Sequence, residues 1–91
     1  MEIIYTKKAV KNIEKLPKHI QAKMFFWLDL IDDVGPVMSR KYPGFNDEAL
    51  HGKRKGQRSV RLSKGYRLFY QELPCEYAVL IEILEVNKHD Y

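Results

Sequence analysis

Apolar and polar residues alternate on both sides of Ser63-Lys64-Gly65, and this alternation narrows the folding options more than any other feature of the chain. Val60 and Leu62 before the break, and Tyr66 and Leu68 after it, share one parity. Ser59, Arg61, Arg67 and Phe69 share the other. Period-two patterning around a short glycine-containing linker predicts an antiparallel hairpin with one buried face. A three-residue turn with Gly65 left-handed would pair Leu62 with Tyr66, Arg61 with Arg67 and Val60 with Leu68. A two-residue Lys64-Gly65 turn would place Lys64 at positive φ and Arg61 opposite Leu68, so the longer turn is preferred.

The remaining elements follow from periodicity and punctuation. Glu2 to Tyr5 reads as a short strand. Thr6 is positioned to cap a helix over Lys7–Leu16, with Ala9, Val10, Ile13 and Leu16 on one face. Pro17 ends that helix, and a second runs from about Lys18 to Val34, where Ile20, Met24, Trp27, Leu28 and Ile31 recur at helical spacing before Gly35-Pro36. Phe25, Phe26 and Trp27 wrap more of this helix than one stripe, which assigns part of the cluster to the sheet and part to a neighbour or partner. Val37 to Leu50 lacks a sustained period and reads as a loop. Strands are expected at Arg58–Leu62, Tyr66–Leu73 and Tyr77–Val86. The predicted fold is α+β in the order βααβββ, with a helical hairpin packed on one face of a small, twisted, mainly antiparallel sheet.

Ninety-one residues, 45% of them hydrophobic, suffice for one compact core, so residues 1–91 are read as a single domain. The lone cysteine, Cys75, offers no internal disulfide and no zinc knuckle. Its isolation, together with the absence of a leader-like or membrane-length apolar run, points to a cytoplasmic protein without a membrane partner. The net charge of +4 is unevenly distributed. Seven basic residues and no acids fall between Ala49 and Gln71, leaving nine basic residues against twelve acids elsewhere. A basic third of this kind fits a polyanion, although a solvated hairpin that aids solubility has the same composition.

Opposed arginines at 61 and 67 are mildly destabilising on an exposed sheet unless an anion completes them. Two guanidinium forks suit a phosphodiester and the charge of its pentacoordinate transition state, with Phe69 offering a stacking surface for a base. The alternative is that Glu82 or another carboxylate from the last strand neutralises the pair. The closing residues include proton-transfer groups: His89 as base or acid, Tyr91 to donate, accept or stack, and Asp90 to orient His89 or bind ribose. His51, at the head of the basic stretch, is a second histidine candidate.

Leu50-His51-Gly52-Lys53-Arg54-Lys55-Gly56-Gln57-Arg58-Ser59-Val60-Arg61-Leu62, then Gly65-Tyr66-Arg67-Leu68-Phe69-Tyr70-Gln71, and the closing His89-Asp90-Tyr91 resemble the RelE/ParE superfamily of bacterial toxin-antitoxin toxins, its RelE and HigB branches in particular. The resemblance implies the RelE-like fold and an endoribonuclease that enters the ribosomal A site and cuts mRNA by attack of a ribose 2′-oxygen on the adjacent phosphate, without metal or cofactor. It assigns Arg61 and Arg67 to the scissile phosphate. It assigns Lys53 and Arg54, with Lys55 and Arg58 in the same basic run, to RNA contact, and gives His51 a functional position. It also implies a cognate antitoxin that covers the basic face or wraps the helices with an acidic or amphipathic segment. The His89-Asp90-Tyr91 order departs from the endings of both branches and leaves the terminal base or acid unassigned. Two other readings stay open. One is a ParE-like gyrase inhibitor, which needs neither the arginine pair nor a titratable tail; the other is a noncatalytic RNA-binding module.

Overall fold

The computed structural model describes residues 2–75 and 79–88. Strand β1 (Glu2–Tyr5) leads into helices α1 (Lys7–Glu14) and α2 (Lys18–Ser39). A short strand β2 (Glu48–Ala49) and a single 3-10 turn (Gly52–Arg54) precede β3 (Arg58–Ser63), β4 (Tyr66–Pro74) and β5 (Val79–Lys88). The sheet order is β1-β5-β4-β3-β2, with β1 parallel to β5 and every other pairing antiparallel. The expected α+β architecture of two helices against one face of the sheet is therefore present, with one strand more than the sequence reading contained. That strand, β2, spans two residues, too few to produce a periodic signal within the segment read as a loop.

Thr6 caps α1 by accepting a hydrogen bond from the Ala9 N–H at 3.0 Å. The helix ends at Glu14 rather than Leu16, because Lys15 and Leu16 donate to Asn12 and Ile13 in tighter i→i+3 bonds ahead of Pro17. Gln21 Nε2 then satisfies the Ile13 carbonyl at 2.8 Å. Ala9 and Leu16 are buried and Ile13 packs against them, whereas Val10, expected on the same face, is exposed. Helix α2 breaks at Gly35 (φ 81, ψ 166), as the Gly35-Pro36 signal predicts. Pro36 then opens a further turn that extends the element to Ser39.

Ile20, Met24, Trp27, Leu28 and Ile31 of α2 meet Val60, Leu62, Leu68, Tyr70, Ile81, Ile83 and Val86 of the sheet in one core, with Trp27 and Tyr70 ring centroids 5.0 Å apart. Of the aromatic run only Trp27 enters this core, and Phe25 and Phe26 stay about half exposed. Phe26 stacks on Phe45, which is itself buried. Beyond the end of β1, α1 takes over the edge of β5. Thr6 Oγ1 donates to the Leu84 carbonyl and Asn12 Oδ1 accepts from the Val86 N–H, so helical side chains replace a missing strand. No helix among the described residues is long and apolar enough to cross a membrane.

The hairpin keeps the predicted pairs Val60–Leu68 and Arg61–Arg67 but closes differently. Ser63, not Leu62, faces Tyr66, and a bulge at Leu62 absorbs the extra residue. The connection therefore has only two residues, Lys64 and Gly65, and neither lies in the left-handed region. Ser63 Oγ accepts the Gly65 N–H at 3.2 Å and holds the turn. The bulge removes the conflict between a short connection and the Arg61–Arg67 register.

Candidate nucleic-acid interface

Two adjacent cross-strand rows on the sheet face turned away from the helices carry the candidate site. Glu48, Ser59, Phe69 and Glu85 form one, and Arg61, Arg67 and Asn87 form the next. Glu85 joins its row because of a second bulge. Leu68 pairs with Val86 and Phe69 with Glu85, but Tyr70 pairs with Ile83, so Leu84 is the extra residue. Without it, the parity that buries Ile81 and Ile83 would bury Glu85 among them. The bulge turns the carboxylate to the opposite face.

Arg61 and Arg67 stand opposite each other. Arg67 Nη1 donates to Glu48 Oε1 at 3.1 Å, and Glu48 is about half exposed. Among the described residues Arg61 forms no ion pair, and neither arginine Nε has a hydrogen-bond partner. The partial neutralisation comes from edge strand β2. Glu82 on β5 instead accepts from Gln71 Nε2 at 2.7 Å. Glu48 is the site residue that the sequence reading missed, since the signal lay in a two-residue strand. An open cleft of about 500 Å³ adjoins Arg61 and is bordered by Tyr42, Asn46 and Asp47.

A second cluster centres on Glu85. Its Oε2 lies 2.7 Å from both Lys8 Nζ and Asn87 Nδ2, and its Oε1 is paired with Arg54. Burial would raise the carboxyl's pKa, but hydrogen bonds from Lys8, Arg54 and Asn87 outweigh it and hold the value down to about 2. Arg54 also donates to Gln57 Oε1 at 2.9 Å, and its guanidinium carbon sits 4.2 Å from the Phe69 ring centroid. The surface expected at Phe69 is thus covered by Arg54.

The other sequence candidates divide by position. His51, Lys53 and Lys55 are exposed around the 3-10 turn. Arg58 shares the helix-side parity of Val60 and pairs across the strands with Tyr70. Its Nε donates to the buried Asp47 at 2.7 Å, which also accepts from the Tyr70 hydroxyl at 2.5 Å. Burial and this bond to Asp47 push the Tyr70 phenol well above its usual range. Arg58 therefore braces the loop against the sheet instead of joining the outer rows. His89, Asp90 and Tyr91 lie outside the described residues, as does the expected strand start at Tyr77. Strand β5 is described to Lys88, opposite Tyr66 and next to the Arg67–Asn87 pair. Among the described residues no three His, Cys, Asp or Glu side chains group as metal ligands.

A helical hairpin on one face of a five-stranded, mainly antiparallel open sheet is a fold that this chain shares with solved structures over nearly its whole length. A YoeB/ParE toxin from Agrobacterium tumefaciens superimposes with a TM-score of 0.78 at 15% identity, covering 99% of this chain and 100% of its own. YafQ from E. coli gives 0.74 at 19% identity, covering 97% and 92%. The Staphylococcus aureus YoeB dimer gives 0.72 at 21%, covering 100% and 98%. No protein-family model and no curated relative matches the sequence.

Proposed function

We propose that this protein is the toxin of a bacterial type II toxin-antitoxin pair and acts as a metal-independent endoribonuclease on mRNA in the ribosomal A site. The observation that carries the reading is the opposed Arg61–Arg67 pair, with an exposed carboxylate, Glu48, on Arg67. Like charges placed face to face cost stability, and a phosphodiester between the two forks offsets that cost. Attack by the ribose 2′-oxygen on phosphorus forms one P–O bond and breaks the bond to the 5′-oxygen. The 2′-proton needs an acceptor and the departing oxygen a donor. In this reading Arg61 and Arg67 stabilise the pentacoordinate charge, and Glu48, the carboxylate beside Arg67, accepts the 2′-proton. His89, Asp90 and Tyr91 follow directly on the strand that flanks Arg67 and supply the candidates for the donor. His51, Lys53 and Lys55 extend the positive field along the RNA or rRNA backbone.

A cognate antitoxin is the second partner. The E. coli DinJ-YafQ complex and the Staphylococcus aureus YoeB-YefM complex share the fold, and each contains a second protein. In this chain, Phe25 borders a small apolar cleft with Tyr5, Val10 and Met24, suited to an amphipathic segment.

Adding purified protein to a defined message, with and without translating ribosomes, and mapping new 5′ ends by primer extension tests the reading. Ribosome-dependent cuts that vanish in Arg67→Ala support it. Cuts on naked RNA remove the ribosome from it. Absence of cuts with intact RNA binding leaves a noncatalytic module, and gyrase inhibition without RNA binding leaves the ParE-like activity.

A further inference from the structure

Phe69 is the only aromatic side chain in the two outer rows, yet its ring does not offer an open stacking surface, because Arg54 lies over it at 4.2 Å. Arg54 is fixed there by several bonds. Its guanidinium donates to Gln57 Oε1 at 2.9 Å and pairs with Glu85, whose other oxygen is engaged by Lys8 and Asn87. The Glu85 side chain is 5% exposed, whereas that of Arg54 is 41% exposed. A buried anion thus holds a partly exposed planar cation above an aromatic ring. A side chain needed only to neutralise Glu85 would not have to sit over Phe69. Guanidinium planes stack on nucleobases as well as on aromatic rings, and being held in advance lowers the ordering cost of binding.

We propose that Arg54, backed by Phe69 and held by Glu85, forms a nucleobase subsite in which one RNA base stacks on the solvent-facing plane of the guanidinium. The subsite rests on the reading that this face binds RNA. It places the base one cross-strand row from the Arg61–Arg67 pair, so it receives a nucleotide near the bound phosphate. Glu85 acts through Arg54 and is a positioning residue, and because every base has a π face, the subsite tolerates all four bases.

Short 2′-O-methyl RNA oligonucleotides, which cannot supply the attacking hydroxyl, provide the test, with 2-aminopurine placed at each position in turn and binding followed at low salt. The full chain should quench 2-aminopurine at one position and should bind an oligonucleotide abasic there about tenfold more weakly. Arg54→Lys keeps the charge but removes the plane, so it should lose both the quench and the abasic penalty while keeping the salt dependence. Glu85→Gln, checked by circular dichroism to be folded, should do the same with Arg54 still present. A quench and abasic penalty unchanged in Arg54→Lys would overturn the subsite alone, and the same result in folded Glu85→Gln would remove Glu85 from it. If the unaltered chain binds none of the oligonucleotides, whether free or programmed into the A site of ribosomes, the RNA-binding reading fails and the subsite fails with it.

Discussion

Arg67 reaches across the outer face to Glu48 on the edge strand, with Nη1 3.1 Å from Oε1, while Arg61 directly opposite has no carboxylate partner among the described residues. The face is therefore polarised, with one arginine held and the other left for a ligand. Replacing Arg61 by alanine should relieve the like-charge contact and raise the thermal midpoint slightly, consistent with a contribution of about 0.2–1 kcal/mol. The same change should slow mRNA cutting by about 10²-fold, the usual cost of losing one transition-state donor. Melting and primer extension on one preparation check both signs. A variant less stable than the parent would show that Arg61 is already neutralised.

Glu48→Gln keeps the side chain's shape but cannot accept a proton. Cutting should fall by roughly 10²-fold or more, with binding to 2′-O-methyl RNA retained. Cleavage at the unaltered rate would move the base role to the closing residues.

Glu85 makes stability depend on pH in a defined direction. Its folded-state pKa, about 2, lies below the ordinary 4.5. Its contribution is thus fully present above pH 4.5 and is lost as pH falls towards 2. Glu85→Gln should flatten the stability profile within that window and cost on the order of 3 kcal/mol at neutral pH. Denaturant midpoints at several pH values measure this directly, and an unchanged acid slope would mean that the carboxylate is not held by Lys8, Arg54 and Asn87 in solution.

Asp47 joins Arg58 to the Tyr70 hydroxyl beneath the loop. Removing one partner of a buried charge exposes the other to its full desolvation cost, so Asp47→Ala should destabilise the protein by about 3 kcal/mol. Tyr70→Phe, which leaves the Asp47–Arg58 pair intact, should cost about 1–2 kcal/mol. Equal losses in the two variants would contradict a carboxylate that serves both groups.

At Gly35 an added Cβ meets nothing within 4 Å, so the penalty of Gly35→Ala is purely the backbone strain of φ 81. A loss of about 1–3 kcal/mol is expected from equilibrium unfolding, with RNA cutting unchanged. A neutral substitution would indicate that α2 runs straight through this position.

Much of the fold was legible because its signals are local. Thr6, Pro17 and Gly35-Pro36 punctuate the helices within a few residues of the bonds they make or prevent, and alternation over Val60, Leu62, Tyr66 and Leu68 assigns the hairpin faces. That alternation also places Arg58 with Val60, so its inclusion among the RNA contacts came from the charge run and not from the pattern. Opposed Arg61 and Arg67 were readable for the same reason, although the turn was not, because nothing local distinguishes a longer turn from a bulge at Leu62.

By itself, then, the sequence determined two helices, a hairpin with a basic outer face, and an arginine pair in register, all consequences of short-range periodicity and punctuation. Tertiary structure decided which acids meet those bases. Glu48 meets Arg67 across 19 positions and Glu85 meets Arg54 across 31; the first contact depends on the order β4-β3-β2, the second on the Leu84 bulge that turns Glu85 outward. A bulge changes a side chain's face only when a partner strand is present to be out of step with, so no reading of β5 alone contains it.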